Sequence, residues 1–312
     1  MMSFRRGFPF FIFSILFLAA SCGPAEKDRN ETATASGGIT DALGRTVQLN
    51  QPVNRVVTIS PGATEIVVAA GGLSKLVGVS NVDNYPDAIG QLPRFSVLPM
   101  DFEAIVALVP DLVIASSQVN DPQNVKVFDA LNIKVFFLDG TTWNSVSESI
   151  ATAGALLDTD SVATASKASL QADVDRLISI TKHVPKRPTA IFLISEITSY
   201  SFGKGSYVQD LLAWAGVESA TATIGTNAPL SDEWVLMEDP EIIFGTFGDD
   251  FEASDLIKHH PTWSDLKAIK SGSVFSIPQN LILRPGPRNV DAAYLMAGKA
   301  HPELLRDLFP TL

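Results

Sequence analysis

Two glutamates stand close inside stretches that open on serine: Glu65 in SPGATE (60–65) and Glu233 in SDE (231–233). Serine is a strong helix N-cap and proline suits the first helical position, so Ser60-Pro61 and Ser231 each predict a helix start with an acid in its first turns. A carboxylate there gains about 0.3–1 kcal/mol from the helix dipole. A pair of such acids on an acidic chain also suits a second role, as negative knobs that dock onto arginines of a partner. The matching cations are Arg284 and Arg288 in RPGPR (284–288). A helix starting at Pro287 would direct both guanidinium groups toward a cleft mouth, where carboxylate, phosphate or amide oxygens of a ligand could meet them. The alternative is a surface bridge from one of them to Asp291 or Glu303. Tyr85, held in a loop by Pro86, offers an aromatic face with a polar tip. Tyr200, Phe202 and Lys204 form a similar group around the glycines of SFGKGS (201–206).

No catalytic set assembles around these residues. The sequence has no G-x-S-x-G, H-E-x-x-H or G-x-G-x-x-G motif, and Lys204 lacks the spacing of a phosphate loop. One cysteine leaves no internal disulfide, and four histidines, two of them adjacent, do not make a metal site. Binding without turnover is the expectation, with no cofactor and no resident metal.

The elements that must position these groups are legible as an alternation. NRVVTIS, KLVGVS, DLVIAS and IKVFFLDG read as strands covered on both faces, being continuously apolar instead of alternating. ATEIVVAAGG, DFEAIVALVP and DPQNVKVFDALN between them read as helices. Residues 159–184 break the pattern with one long helix carrying Val162, Leu170, Val174, Leu177 and Ile178 as an apolar stripe. The alternation then resumes at TAIFLIS, and MDFEAIVALVPDLVIASS shares its layout with LSDEWVLMEDPEIIFGTF. The expected architecture is therefore α/β: two Rossmann-like lobes, 41–158 and 185–312, joined by the helix over 159–184. Ligands of such sheets bind beyond the carboxyl ends of the strands, which places the cleft between the lobes.

The N-terminus reads as an export signal. Arg5 and Arg6 precede FPFFIFSILFLAA, and the following LAASC resembles a bacterial lipobox, with Cys22 as the lipidated residue. Residues 1–22 are then the lipoprotein signal, and polar residues 23–40 a flexible tether to a membrane surface. The net charge of −11 excludes a nucleic-acid partner, since no basic stripe is available for phosphates.

RVVTISPGATEIVVAAGG, VGVSNVDNYP, DFEAIVALVPDLVIA, SFGKGSYVQDLLAWAG, LSDEWVLMEDPEIIF and RPGPR, in that order, resemble the periplasmic binding proteins of iron-chelate and cobalamin uptake, partners of ATP-driven importers. The resemblance implies a non-enzymatic, monomeric receptor in the periplasm or at the cell surface. It would deliver a corrinoid, haem or siderophore to an ABC transporter permease. It implies Glu65 and Glu233 as the contacts to permease arginines, and Tyr85, Tyr200, Phe202, Arg284 and Arg288 as cargo contacts, with Tyr85 or Tyr200 as iron ligand if the cargo is haem. An enzyme or a sensory module on the same scaffold is the alternative. A single stiff connecting helix further implies a small hinge and a preformed cleft.

Overall fold

The computed structural model describes residues 38–49 and 51–304; Cys22, the expected signal and most of the expected tether lie outside the described residues. A short antiparallel hairpin, β1 (Ile39–Thr40) and β2 (Thr46–Val47), precedes the first lobe. That lobe contains β3 (Val56–Thr58), α1 (Pro61–Ala69), β4 (Leu76–Ser80), β5 (Arg94–Phe95), α2 (Phe102–Ala107), β6 (Leu112–Ser116), α3 (Asn124–Ala130), β7 (Lys134–Leu138) and α4 (Trp143–Leu157). Its strands form a parallel sheet in the order β5-β4-β3-β6-β7. Successive side chains point to opposite faces of each strand, so every buried strand feeds two cores. Val56, Ile114 and Phe136 pack with Ile66 and Val67 of α1 and Ile150 of α4 on one side. Val57, Val113 and Val135 pack with Ile105 of α2 and Phe128 of α3 on the other.

After α5 (Asp160–Thr181), the second lobe contains β8 (Thr189–Leu193), β9 (Tyr200–Phe202), α6 (Tyr207–Trp214), β10 (Glu218–Ser219), β11 (Asn227–Pro229) and α7 (Asp232–Glu238). It continues with β12 (Ile242–Gly245), α8 (Ala253–His259), α9 (Lys267–Lys270), β13 (Val274–Ser276), α10 (Gln279–Ile282) and α11 (Asn289–Ala300). The sheet order is β11-β9-β8-β12-β13, with β10 also on β8. Here the repeat is imperfect. The chain after β8 turns back, so β9 runs antiparallel to β8 and β11 antiparallel to β9.

The 22 residues of α5 span about 33 Å at the ordinary helical rise. Its apolar stripe differs from expectation: Val174 and Leu177 are buried, but Val162 and Ile178 stay exposed, and Ala163 and Thr181 take the inward positions. The reason is close approach. A Cβ on Gly154 of α4 would stand 2.5 Å from the Ala163 side chain, so the crossing admits only small residues there.

A second connection ties the lobes together. Pro285 of the RPGPR loop is wedged against the first lobe, where a Cβ on Gly62 would lie 2.7 Å from its carbonyl oxygen and one on Gly140 2.6 Å from its ring. Asn289 shapes that loop: its amide donates to the carbonyls of Leu281 and Arg284, and its Oδ1 accepts the Gly286 N–H. Nearby, the Tyr207 N–H donates to the Thr141 carbonyl across the lobes (2.8 Å), and Trp143 meets Trp214 edge to face. Val146, Val174 and Val290 complete a small apolar core made by both lobes and α5.

Candidate functional site

A cavity of about 400 Å³ opens where strands of both lobes end. The first lobe contributes Ser60 and Pro61 after β3, Val82 after β4, Val97 and Leu98 before α2, and Asn120 and Asn124 after β6. The second contributes Gln279, Asn280, Leu283 and Arg284. Val82, Leu98 and Val119 are large apolar side chains more than half exposed, and all three converge on this cavity. Such side chains on a polar-rimmed hollow fit a ligand with an extended apolar face.

Arg284 lies on the wall of the cavity and reaches across the lobes. Its Nη1 donates to Asn84 Oδ1 (2.5 Å) and its Nη2 to the Val82 carbonyl (3.0 Å). Arg288 is placed elsewhere. Its Nε and Nη2 donate to the two oxygens of Glu65 (2.9 and 2.6 Å), a bidentate pair between residues 223 apart in the chain. The Tyr85 ring covers this pair, its centroid 4.2 Å from Arg288 Cζ. Tyr85 and Arg288 thus line a neighbouring cavity of about 510 Å³ between α5 and α11, not the one at the strand ends. Neither expected bridge of Arg288, to Asp291 or Glu303, forms; Glu65 takes that place.

This pairing corrects the expectation for Glu65. Its side chain is 2 % exposed, because the start of α1 faces the wedged RPGPR loop, and it cannot serve as an open knob in this arrangement. Burial pushes its carboxyl above the ordinary range, and the Arg288 hydrogen bonds and charge pull against that rise. The same bonds raise Arg288, so the cation of the pair is secure. Phe202 is corrected too. It packs against Phe192 and Tyr207 in the core of the second lobe, because β9 turns back and joins the sheet beside β8. Tyr200, two residues earlier on β9, is 47 % exposed and outside the cavity lining.

Glu233 stands exposed in the first turn of α7, which is capped by Ser231 Oγ accepting the Trp234 N–H (3.2 Å). The structure supplies its counterpart in the first lobe, and it is Glu103. Asp101 caps α2 in the same way, accepting the Ala104 N–H (2.9 Å), and Glu103 is exposed in the first turn. Both helices end at a left-handed residue before a proline, Val109 (φ 47°) and Asp239 (φ 43°). Val106 and Leu236 extend the two exposed faces by one turn. The signal for Glu103 was present in MDFEAIVALVPDL beside LSDEWVLMEDPEI; aligning the two segments, instead of pairing acids by their serine caps, finds it.

Asp83 was not anticipated. It is buried, its Oδ2 accepts the Ser80 hydroxyl, and among the described residues its Oδ1 has no partner. Burial raises its pKa. Among the described residues no group of three or more His, Cys, Asp or Glu side chains could hold a metal ion.

Comparison with known proteins agrees with this geometry. The chain is 25 % identical over 311 residues to an uncharacterized ABC transporter substrate-binding lipoprotein, YvrC, of Bacillus subtilis, covering 95 % of this chain and 98 % of the relative. It is 28 % identical over 275 residues to a cobalamin-binding protein of Halobacterium salinarum, covering 84 % and 73 %. A periplasmic heme-binding protein from Pseudomonas aeruginosa superposes with a TM-score of 0.70 at 22 % identity, covering 80 % and 93 %, which shows a shared fold. The family profile described as periplasmic binding protein matches residues 56–281, and the chain belongs to that family of solute-binding proteins.

Proposed function

We propose that this protein is the lipid-anchored, extracytoplasmic receptor of an ABC importer and that its cargo is a corrinoid. The observation that carries the reading is the cavity at the strand ends, whose apolar walls alternate with the side-chain amides of Asn120, Asn124, Gln279 and Asn280. A corrin ring is a broad apolar surface edged with amides, and amide side chains are both donors and acceptors for such an edge. The cobalamin-binding relative supports the same class. Haem fits less well, since neither candidate iron-ligating tyrosine lines the cavity. Cys22 carries the lipid, residues 23–40 form the tether, and the receptor acts as a monomer with both lobe tips free.

Glu103 and Glu233 dock the permease, one per lobe, through arginines on its outer surface. Their exposure and equivalent positions in the repeat support this assignment, and Val106 and Leu236 lend each contact an apolar flank. The test is uptake by cells carrying the Glu103→Arg/Glu233→Arg double variant. Transport is lost while corrinoid affinity of the purified protein stays unchanged; normal uptake would sink the docking assignment. Protein purified from its native host should show a corrin absorbance spectrum, and a Soret band in its place would replace the corrinoid with haem.

A further inference from the structure

The cavity has one corner unlike the rest. Ser60 and Pro61, at the start of α1, lie on its wall, which they share with Arg284 of the other lobe. Ser60 occupies the N-cap position of this nine-residue helix, yet its side chain makes no capping hydrogen bond. Its Oγ is buried and has no partner at all, on a residue only 2 % exposed. A buried hydroxyl normally has a partner, so one left alone beside a cavity marks a place for a ligand atom. The first amides of an α-helix point out of its start, and Pro61 removes one of them, leaving Gly62 and Ala63. Among the described residues neither of those N–H groups has an acceptor, the first intrahelical bond being Thr64 N–H to the Ser60 carbonyl (3.1 Å).

Arg284 brings a cation to this corner. Arg288 is paired with Glu65, whereas among the described residues Arg284 hydrogen-bonds the uncharged Asn84 amide and Val82 carbonyl. Asp83 and Glu65 lie close enough to act on the Arg284 charge, and burial raises the pKa of both carboxyls. Among the described residues Asp121 is the one acid on the cavity wall, and its Oδ1 accepts the Gln123 N–H (2.9 Å) within its own loop.

We infer that this corner, formed by Ser60, the α1 start and Arg284, is an oxyanion subsite that anchors an anionic oxygen group of the cargo. An unpartnered hydroxyl at the start of α1 and a guanidinium on the same cavity wall suit a phosphodiester or a carboxylate, and the apolar body of the cargo then rests on Val82, Val97 and Leu98. The inference deepens the transport reading and rests on the strand-end cavity being the cargo site. With a corrinoid the anion is the phosphodiester of the nucleotide loop; with haem it is a propionate.

The experiment compares ligands with and without the anion. Isothermal titration of wild-type protein uses cyanocobalamin against cobinamide, which lacks the nucleotide, and haemin against its dimethyl ester. The anion-bearing member of whichever pair binds should bind about tenfold tighter. Ser60→Ala removes a hydroxyl that bonds nothing in the fold, and should lower affinity for the anionic member alone; Arg284→Gln should do the same more strongly. Asn84→Ala, which breaks the interlobe contact of Arg284 but keeps its charge, separates loss of the anchor from loss of the clasp and should retain the preference. Equal affinity within the binding pair, or variants that weaken both members alike, would overturn the subsite. If neither pair binds, the cargo class falls, and the subsite is judged on inorganic phosphate: shifts of the Gly62 and Ala63 amide resonances in wild type that vanish in Arg284→Gln uphold it, and none overturns it.

Discussion

Glu65 and Glu233 share a local setting and end in opposite surroundings. Each follows a serine at an N-cap and sits near the start of a short helix, yet one is sealed against Arg288 and the other faces water. The cause is the place of each helix within its lobe. α1 follows the central strand β3, and its start points into the junction where Pro285 is wedged. α7 precedes β12 and covers the outer face of its sheet through Val235. Its true counterpart is α2, which precedes β6 and buries Ile105 in the same way. Helix capping therefore says where a helix begins, and the position of that helix in the repeat says what its first turn will meet.

The contrast breaks most visibly at Arg288. Arg288→Ala leaves a buried carboxylate without its partner and should cost about 3 kcal/mol in denaturant unfolding. A loss below about 1 kcal/mol would mean that Glu65 is not committed to the pair. Gly62→Ala comes next. The added methyl meets the Pro285 carbonyl at 2.7 Å, and overpacking of this kind costs about 1–3 kcal/mol. It should also raise proteolytic sensitivity of the RPGPR loop. Glu103→Gln and Glu233→Gln, both exposed, should each change stability by less than about 0.5 kcal/mol, sharpening the comparison from the other side.

The smallest expected effect is a slope. Asp83 has its pKa raised above the ordinary 3.8 by burial, so the folded state holds this proton to higher pH than the unfolded chain does. The associated stability is complete below the unfolded value and is lost as pH rises through the folded one. Glu65 has the same sign. Thermal midpoints followed upward from the ordinary 3.8 should therefore fall less steeply for Asp83→Asn than for wild type. An identical slope would show that Asp83 does not carry the shift.

Much of the scaffold was legible because it rests on local signals. Continuous apolar runs such as DLVIAS and IKVFFL specify strands covered twice, and Ser60-Pro61 marks the start of α1 without reference to anything distant. The pairings that decide the site are not local. Glu65 meets Arg288 across 223 residues, and nothing near either residue announces the other. Phe202 was misplaced for a related reason: its glycine-rich neighbourhood suggests an open loop, whereas β9 turns back and presses the ring onto Phe192. Tyr85 is exposed, and its surroundings depend on an arginine 203 residues away in the chain that its loop does not announce.

The wedge of Pro285 between Gly62 and Gly140 has a mechanical meaning. With α5 bracing one side and this keystone the other, the two halves behave like a gauge set to one width. If the permease grips Glu103 and Glu233 together, as proposed above, it can then measure small tilts of one half against the other, and so distinguish a loaded carrier from an empty one without waiting for a wide closure.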